Sequence, residues 1–126
     1  MILRIWSAAL DPARLEEYRR FEAERSLPML HRQPGFLGVF FLRAAEDRAA
    51  SITIWEDRGA VEALESSPSY RRTARELAES GLLTGEQLVE ILEVEGGDLR
   101  PEVLVVALAR TRCTGPSSST TAGPRD

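Results

Sequence analysis

At 126 residues, 43% of them hydrophobic, the chain has the length for one domain with a single core and no room for a second. Its net charge of -4 arises from 16 basic and 20 acidic residues mixed along the sequence, which excludes the basic block that tracks a nucleic-acid backbone. Every basic residue is Arg and Asn is missing altogether, so no mechanism here uses a Lys nucleophile or an Asn amide.

The single Cys113 lies in a tail of Thr, Ser, Gly and Pro, where it has no partner for an internal disulfide and no neighbouring metal ligands. A reducing cytoplasm is the expected setting. Met1 leads straight into Ile2 to Trp6 without the pattern of a signal peptide. The longest apolar run, Val103 to Ala109, falls far short of the roughly 20 residues that span a bilayer. The chain is therefore expected to be soluble, with neither membrane nor nucleic acid as a partner.

In chain order, Ile2 to Ser7 alternates as a first strand, with Ile2, Arg4 and Trp6 on one face and Leu3 and Ile5 on the other. Asp11 with Pro12 opens a helix whose apolar face is Leu15, Tyr18 and Phe21. Glu16 with Arg20 and Glu22 with Arg25 read as pairs on its exposed side. Pro28 kinks or restarts this helix, and Pro34 with Gly35 ends it. Phe36 to Arg43 and Ala49 to Trp55 form a strand hairpin turning at Ala44 to Arg48. Asp57 caps a helix burying Val61 and Leu64; Ser67 and Pro68 restart it, Tyr70, Ala74 and Leu77 share its face, and Gly81 stops it. Gln87 to Val94 is a fourth strand.

The order strand, helix, strand, strand, helix, strand makes two split β-α-β units. It predicts an α+β, ferredoxin-like antiparallel sheet with both helices on one face. Strand Phe36 to Arg43 is apolar on both faces, whereas an antiparallel strand usually leaves one side polar. The other side of the sheet therefore needs a cover, and a two-fold homodimer packing sheet on sheet supplies it. Pro101 to Ala109 reads as a fifth, edge strand reaching toward that partner, with a short helix as the alternative, within a domain of residues 1–110. Residues 111–126 read as a disordered tail.

Several segments together resemble the antibiotic biosynthesis monooxygenase (ABM) domain family: the strand ending near Trp6, LPMLHRQPGFLG, SITIWED, and AVEAL followed by SPSYRR. Its most specific pieces are QPGF at 33 to 36 and the Ile54-Trp55 strand end, and the resemblance runs from Met1 to about Val94. It implies a dimeric α+β barrel with a pocket between each sheet and its own helices. Characterised members include cofactor-independent oxygenases of polycyclic phenols, and haem-degrading relatives. In the haem branch the ligating His falls near Ala74 here and the first-strand Asn has no counterpart, which disfavours haem degradation. The phenol branch needs no cofactor, because the deprotonated substrate itself passes an electron to oxygen. Trp55 and Tyr70 match its pocket aromatics.

Three residues are the candidate site. Trp55 shares a strand face with Ser51 and Thr53, so its indole either lines a pocket or fills the core. His31 is the side chain that titrates nearest neutrality and is the expected general base, although a cation in the last turn of a helix has its own structural reason. Tyr70 carries a hydroxyl toward the pocket or simply packs. Arg4, if buried, needs a carboxylate or an anionic ligand, and Trp6 reads as an anchor of the dimer interface. No phosphate loop, nucleophile with adjacent base or cofactor fingerprint is present. The expected activity is monooxygenation of an aromatic or polyketide-like molecule. A non-catalytic dimer that binds a small hydrophobic ligand or assists another enzyme is the alternative, and isomerase or cyclase chemistry a third reading.

Overall fold

The computed structural model describes residues 1–106. The chain divides into two units, Met1–Val94 and Glu95–Asp126. The first carries four strands, β1 (Ile2–Leu10), β2 (Phe36–Ala45), β3 (Arg48–Trp55) and β4 (Leu83–Glu93), in one antiparallel sheet ordered β2-β3-β1-β4. Helices α1 (Leu15–Phe21), α2 (Leu27–His31), α3 (Arg58–Ser66) and α4 (Pro68–Glu79) complete it. This is the ferredoxin-like arrangement that the alternation of elements predicts.

Local chemistry sets the boundaries. The Asp11 carboxylate accepts from Ala13 N at 3.0 Å and Asp57 from Ala60 N at 2.9 Å, each filling an orphan donor of a helix start. Ser67 ends α3 and opens α4, its hydroxyl accepting from Tyr70 N at 3.4 Å. Gly35 (φ 80°) and Gly81 (φ 80°) hold the left-handed turns that lead into β2 and out of α4. Pro28 does more than kink its helix. Between α1 and α2 the chain makes a π-turn, Glu22–Ser26, in which Leu27 N–H bonds the Glu22 carbonyl five residues back. A proline ring clashes with the carbonyl four residues before it, here that of Glu24, and a widened turn relieves that clash without ending the helix.

Strand register puts Ile2, Arg4, Ala8 and Leu10 of β1 beside Thr53, Ala49 and Trp55 of β3, all buried on the side the helices cover. Met29, Leu30, Ala60, Val61 and Leu64 close over Ile2 and Trp55, while Tyr18 and Leu82 close over Leu10 and Ala49. The opposite face presents Leu3, Ile5, Phe40, Ile52 and Ile54, with Leu42, Leu88 and Leu92 exposed at 43%, 56% and 43%.

Three expectations are corrected. The fifth strand is absent from the described part of Pro101 to Ala109: residues 102–106 are helical, begun by the turn bond from Leu104 N to the Pro101 carbonyl at 3.1 Å. Valine's β preference needs a neighbouring strand to express itself, and Pro101 with Glu102 makes a good first helical turn. Residues 107–109 and the predicted tail, 111–126, lie outside the described residues. On α1, Glu16 pairs with Arg19 rather than Arg20, and Arg25 turns away from Glu22 to bond Glu76 of α4. β1 and β4 run longer than expected, because Ala8 and Ala9 pair with β3 and Leu83 pairs with Leu10.

Candidate functional site

Between the helices and the sheet lies a cleft of about 90 Å³. Phe21, Met29, Leu30, Phe41, Leu64 and Leu77 give it apolar walls. Polar groups reach it from several elements, among them Arg4 and Trp6 from β1, Glu22 and Ser26 from the π-turn, Thr53 from β3, and Tyr70 and Thr73 from α4.

Arg4 is the centre of the polar side. Its side chain is only 8% exposed, its Nε donates to Glu65 Oε2 at 3.0 Å, and its Nη2 donates to the Tyr70 hydroxyl at 3.0 Å. The carboxylate that a buried guanidinium requires is thus supplied by α3, and Tyr70 is fixed by the same cation, which also lies 5.4 Å from its ring centre. Below this pair, Trp55 Nε1 donates to Thr53 Oγ1 at 2.7 Å, and Thr53 Oγ1 donates to the Arg4 carbonyl at 3.2 Å. Trp55 itself is fully buried. Its indole is core that supports Thr53, and Thr53 faces the cleft.

The three sequence candidates do not converge. Trp55 and Tyr70 meet the same wall through Thr53 and Arg4. His31 does not: it is exposed, outside the cleft, with its ring edge-on to Phe36 at 5.3 Å, and Phe36 in turn meets Trp55 at 5.5 Å. Its place in the last turn of α2, packed against Phe36, accounts for it. Trp6 is also relocated, from the expected interface to the cleft, where its Nε1 donates to Gln87 Oε1 at 2.9 Å.

Sequence reasoning missed Glu22. Charges at three-residue spacing on α1 read as a solvated face, yet Glu22 is partly buried and lines the cleft beside Tyr18. Burial pushes its carboxyl up to about 7, against the lowering effects of the Tyr18 hydroxyl and the Arg19 and Arg43 guanidinium groups. Burial first, then the Glu22 charge, raises the Tyr18 phenol above its ordinary value. The available signal was spacing: Glu22 follows the buried Tyr18 by four residues and so shares its face. Among the described residues no group of three or more His, Cys, Asp or Glu side chains is placed to hold a metal ion. No helix among them is long and apolar enough to cross a membrane.

The family model described as antibiotic biosynthesis monooxygenase matches residues 1–76, more than half of the chain. No curated protein matches the sequence. Among solved structures, the chain is similar to a monooxygenase from the ActVA-Orf6 gene of Streptomyces coelicolor, in complex with nanaomycin D, at 16% identity and a TM-score of 0.69, covering 79% of this chain and 91% of that one. It is similar to SnoaB, a cofactor-independent oxygenase from Streptomyces nogalater, at 21% identity and a TM-score of 0.58, covering 76% and 94%. It also matches a protein of unknown function from Nitrosomonas europaea, at 16% identity and a TM-score of 0.65, covering 79% and 93%. At these identities the likeness is one of fold.

Proposed function

Since the chain belongs to the antibiotic biosynthesis monooxygenase family, we propose that it is a cofactor-independent monooxygenase of a small aromatic, polyketide-like molecule bound in the cleft between sheet and helices. The observation that carries the reading is the Arg4 and Tyr70 pair on the polar side of a cleft whose other walls are largely apolar. A guanidinium and a hydroxyl there stabilise the negative charge that appears on the substrate's oxygen as it loses a proton. The resulting carbanion, delocalised into the ring system, gives one electron to dioxygen. Superoxide and substrate radical then join at carbon, and the peroxide loses water to leave a carbonyl. The balance is CH2 + O2 → C=O + H2O, and the substrate is the only reductant. The cleft is smaller than the ~150 Å³ cavity that accepts benzene in an engineered core, so the walls must part to admit fused rings. Oxygen uptake with a hydroxyanthrone, and one labelled oxygen in the quinone product under ¹⁸O2, are the expected results. An anthrone that binds and returns unchanged under oxygen overturns the reading in favour of a binding protein.

The bare face of the sheet belongs to the same reading, with a second copy as its cover. Leaving Ile5, Phe40, Ile52, Ile54, Leu42, Leu88 and Leu92 in water maintains an apolar patch spanning all four strands, larger than monomers usually carry. Light scattering on the full chain at micromolar concentration should give twice the mass of one chain, and Ile52→Arg, at the middle of the patch, should reduce it to one. A wild-type monomer ends the dimer proposal.

A further inference from the structure

Resting on the oxygenase reading, we propose that Glu22 is the catalytic base of this cleft, taking a proton from the acidic methylene carbon of an anthrone-type substrate. Geometry carries the assignment. The π-turn Glu22–Ser26 adds a residue to the helical turn, and within it Glu22 and Ser26 line the cleft while Arg25 is held outside it by Glu76. Glu22 thus stands on the helix wall, while Arg4 and Tyr70 stand on the β1 and α4 walls. A substrate lying between them has a proton acceptor on one side and donors for the developing oxyanion on the other. The Glu22 carboxylate forms the new O–H bond, the C–H bond breaks, and its electron pair passes through the ring to the carbonyl oxygen, which becomes a phenolate facing Arg4 and Tyr70.

The charged and titratable groups near Glu22 are Tyr18 and Arg19 on α1 and Arg43 on β2. The two cations and the Tyr18 hydroxyl favour the ionised form, and burial opposes it more strongly. A carboxyl group poised near neutrality is half ionised at working pH yet basic enough to accept a proton from carbon, as general-base catalysis requires. His31 is left with no part in the step, being exposed and outside the cleft.

Proton removal is measurable without oxygen. Anaerobically, in D2O, the wild-type protein should exchange the methylene protons of a hydroxyanthrone, followed by NMR, with a rate that climbs as pH passes about 7 and then levels, because only ionised Glu22 accepts a proton. Glu22→Gln should slow this exchange about 10²- to 10³-fold while anthrone binding changes little. Glu22→Asp should recover part of the rate, and His31→Ala should leave both rate and pH profile unaltered. Exchange in Glu22→Gln equal to wild type, or a wild-type profile flat from about pH 5 to 9, overturns the assignment while leaving oxygen uptake to stand. Glu22-dependent exchange without oxygen uptake keeps the assignment and removes the oxygenase reading. A wild-type protein that neither exchanges nor oxygenates the anthrone overturns both.

Discussion

Trp55→Ala should destabilise the Met1–Val94 unit by about 4 kcal/mol, lowering its melting temperature by roughly 15–30 °C in a calorimetric or circular-dichroism melt. The indole is fully buried at the end of β3, opposite Ile2, and sits within the cluster of Met29, Leu30, Ala60, Val61 and Leu64. Removing it leaves a void bounded by a strand and two helices, elements that relax only partly into such a space. It also takes away the donor that fixes Thr53 beneath Arg4. Trp55→Phe separates these effects: most of the volume stays, the hydrogen bond goes, and the expected cost falls to about 1–2 kcal/mol. A Trp55→Ala protein that melts within a few degrees of wild type contradicts the account of this residue as core.

Gly35→Ala should cost about 2–4 kcal/mol, an unusual penalty for adding one methyl group at a turn. Two independent causes combine. The backbone φ of 80° is a conformation that a Cβ disfavours. The added Cβ would also stand 2.5 Å from the Ala60 Cβ in the first turn of α3, a contact that forces the helix and the turn apart. The Gly35 carbonyl is itself tied to Glu56 N at 2.9 Å, so the turn cannot swing freely away. A double-mutant cycle with Ala60→Gly isolates the second cause: the pair should be more stable than the two single losses add up to, by about 1–2 kcal/mol. Strict additivity would place the whole penalty in the backbone angle.

The elements legible in the sequence are those whose cause is local or periodic. Asp11, Asp57, Ser67 and Gly81 act within one turn of chain, and the alternation of β1 and β3 separates Ile2, Arg4, Thr53 and Trp55 from Leu3, Ile5, Ile52 and Ile54 in the sequence as in the structure. The need of a buried Arg4 for a carboxylate was legible too, but its identity as Glu65, 61 residues away, depends on how α3 crosses the sheet. That His31 lies outside the cleft and Glu22 lines it was not legible, for one reason. Residue type and helix position do not say which side chains enter the cleft; that depends on the direction in which the widened turn ahead of Pro28 aims them, and on the sheet and helices that face it. The stretch after Pro101 misled because its β-branched residues carry a preference that is realised only beside another strand.

The wide turn at Glu22–Ser26 also acts as a phase shifter. An ordinary helix advances ~100° per residue, so deleting one residue there to restore regular winding would rotate everything downstream by that angle. Met29 and Leu30 would leave the core they now close, and Gln33 would lose its bond to Ser69 of α4. Insertions and deletions are therefore barred from this segment even where single substitutions are accepted, because the aim of the acidic side chain and the seating of the following helix are set by the same extra residue.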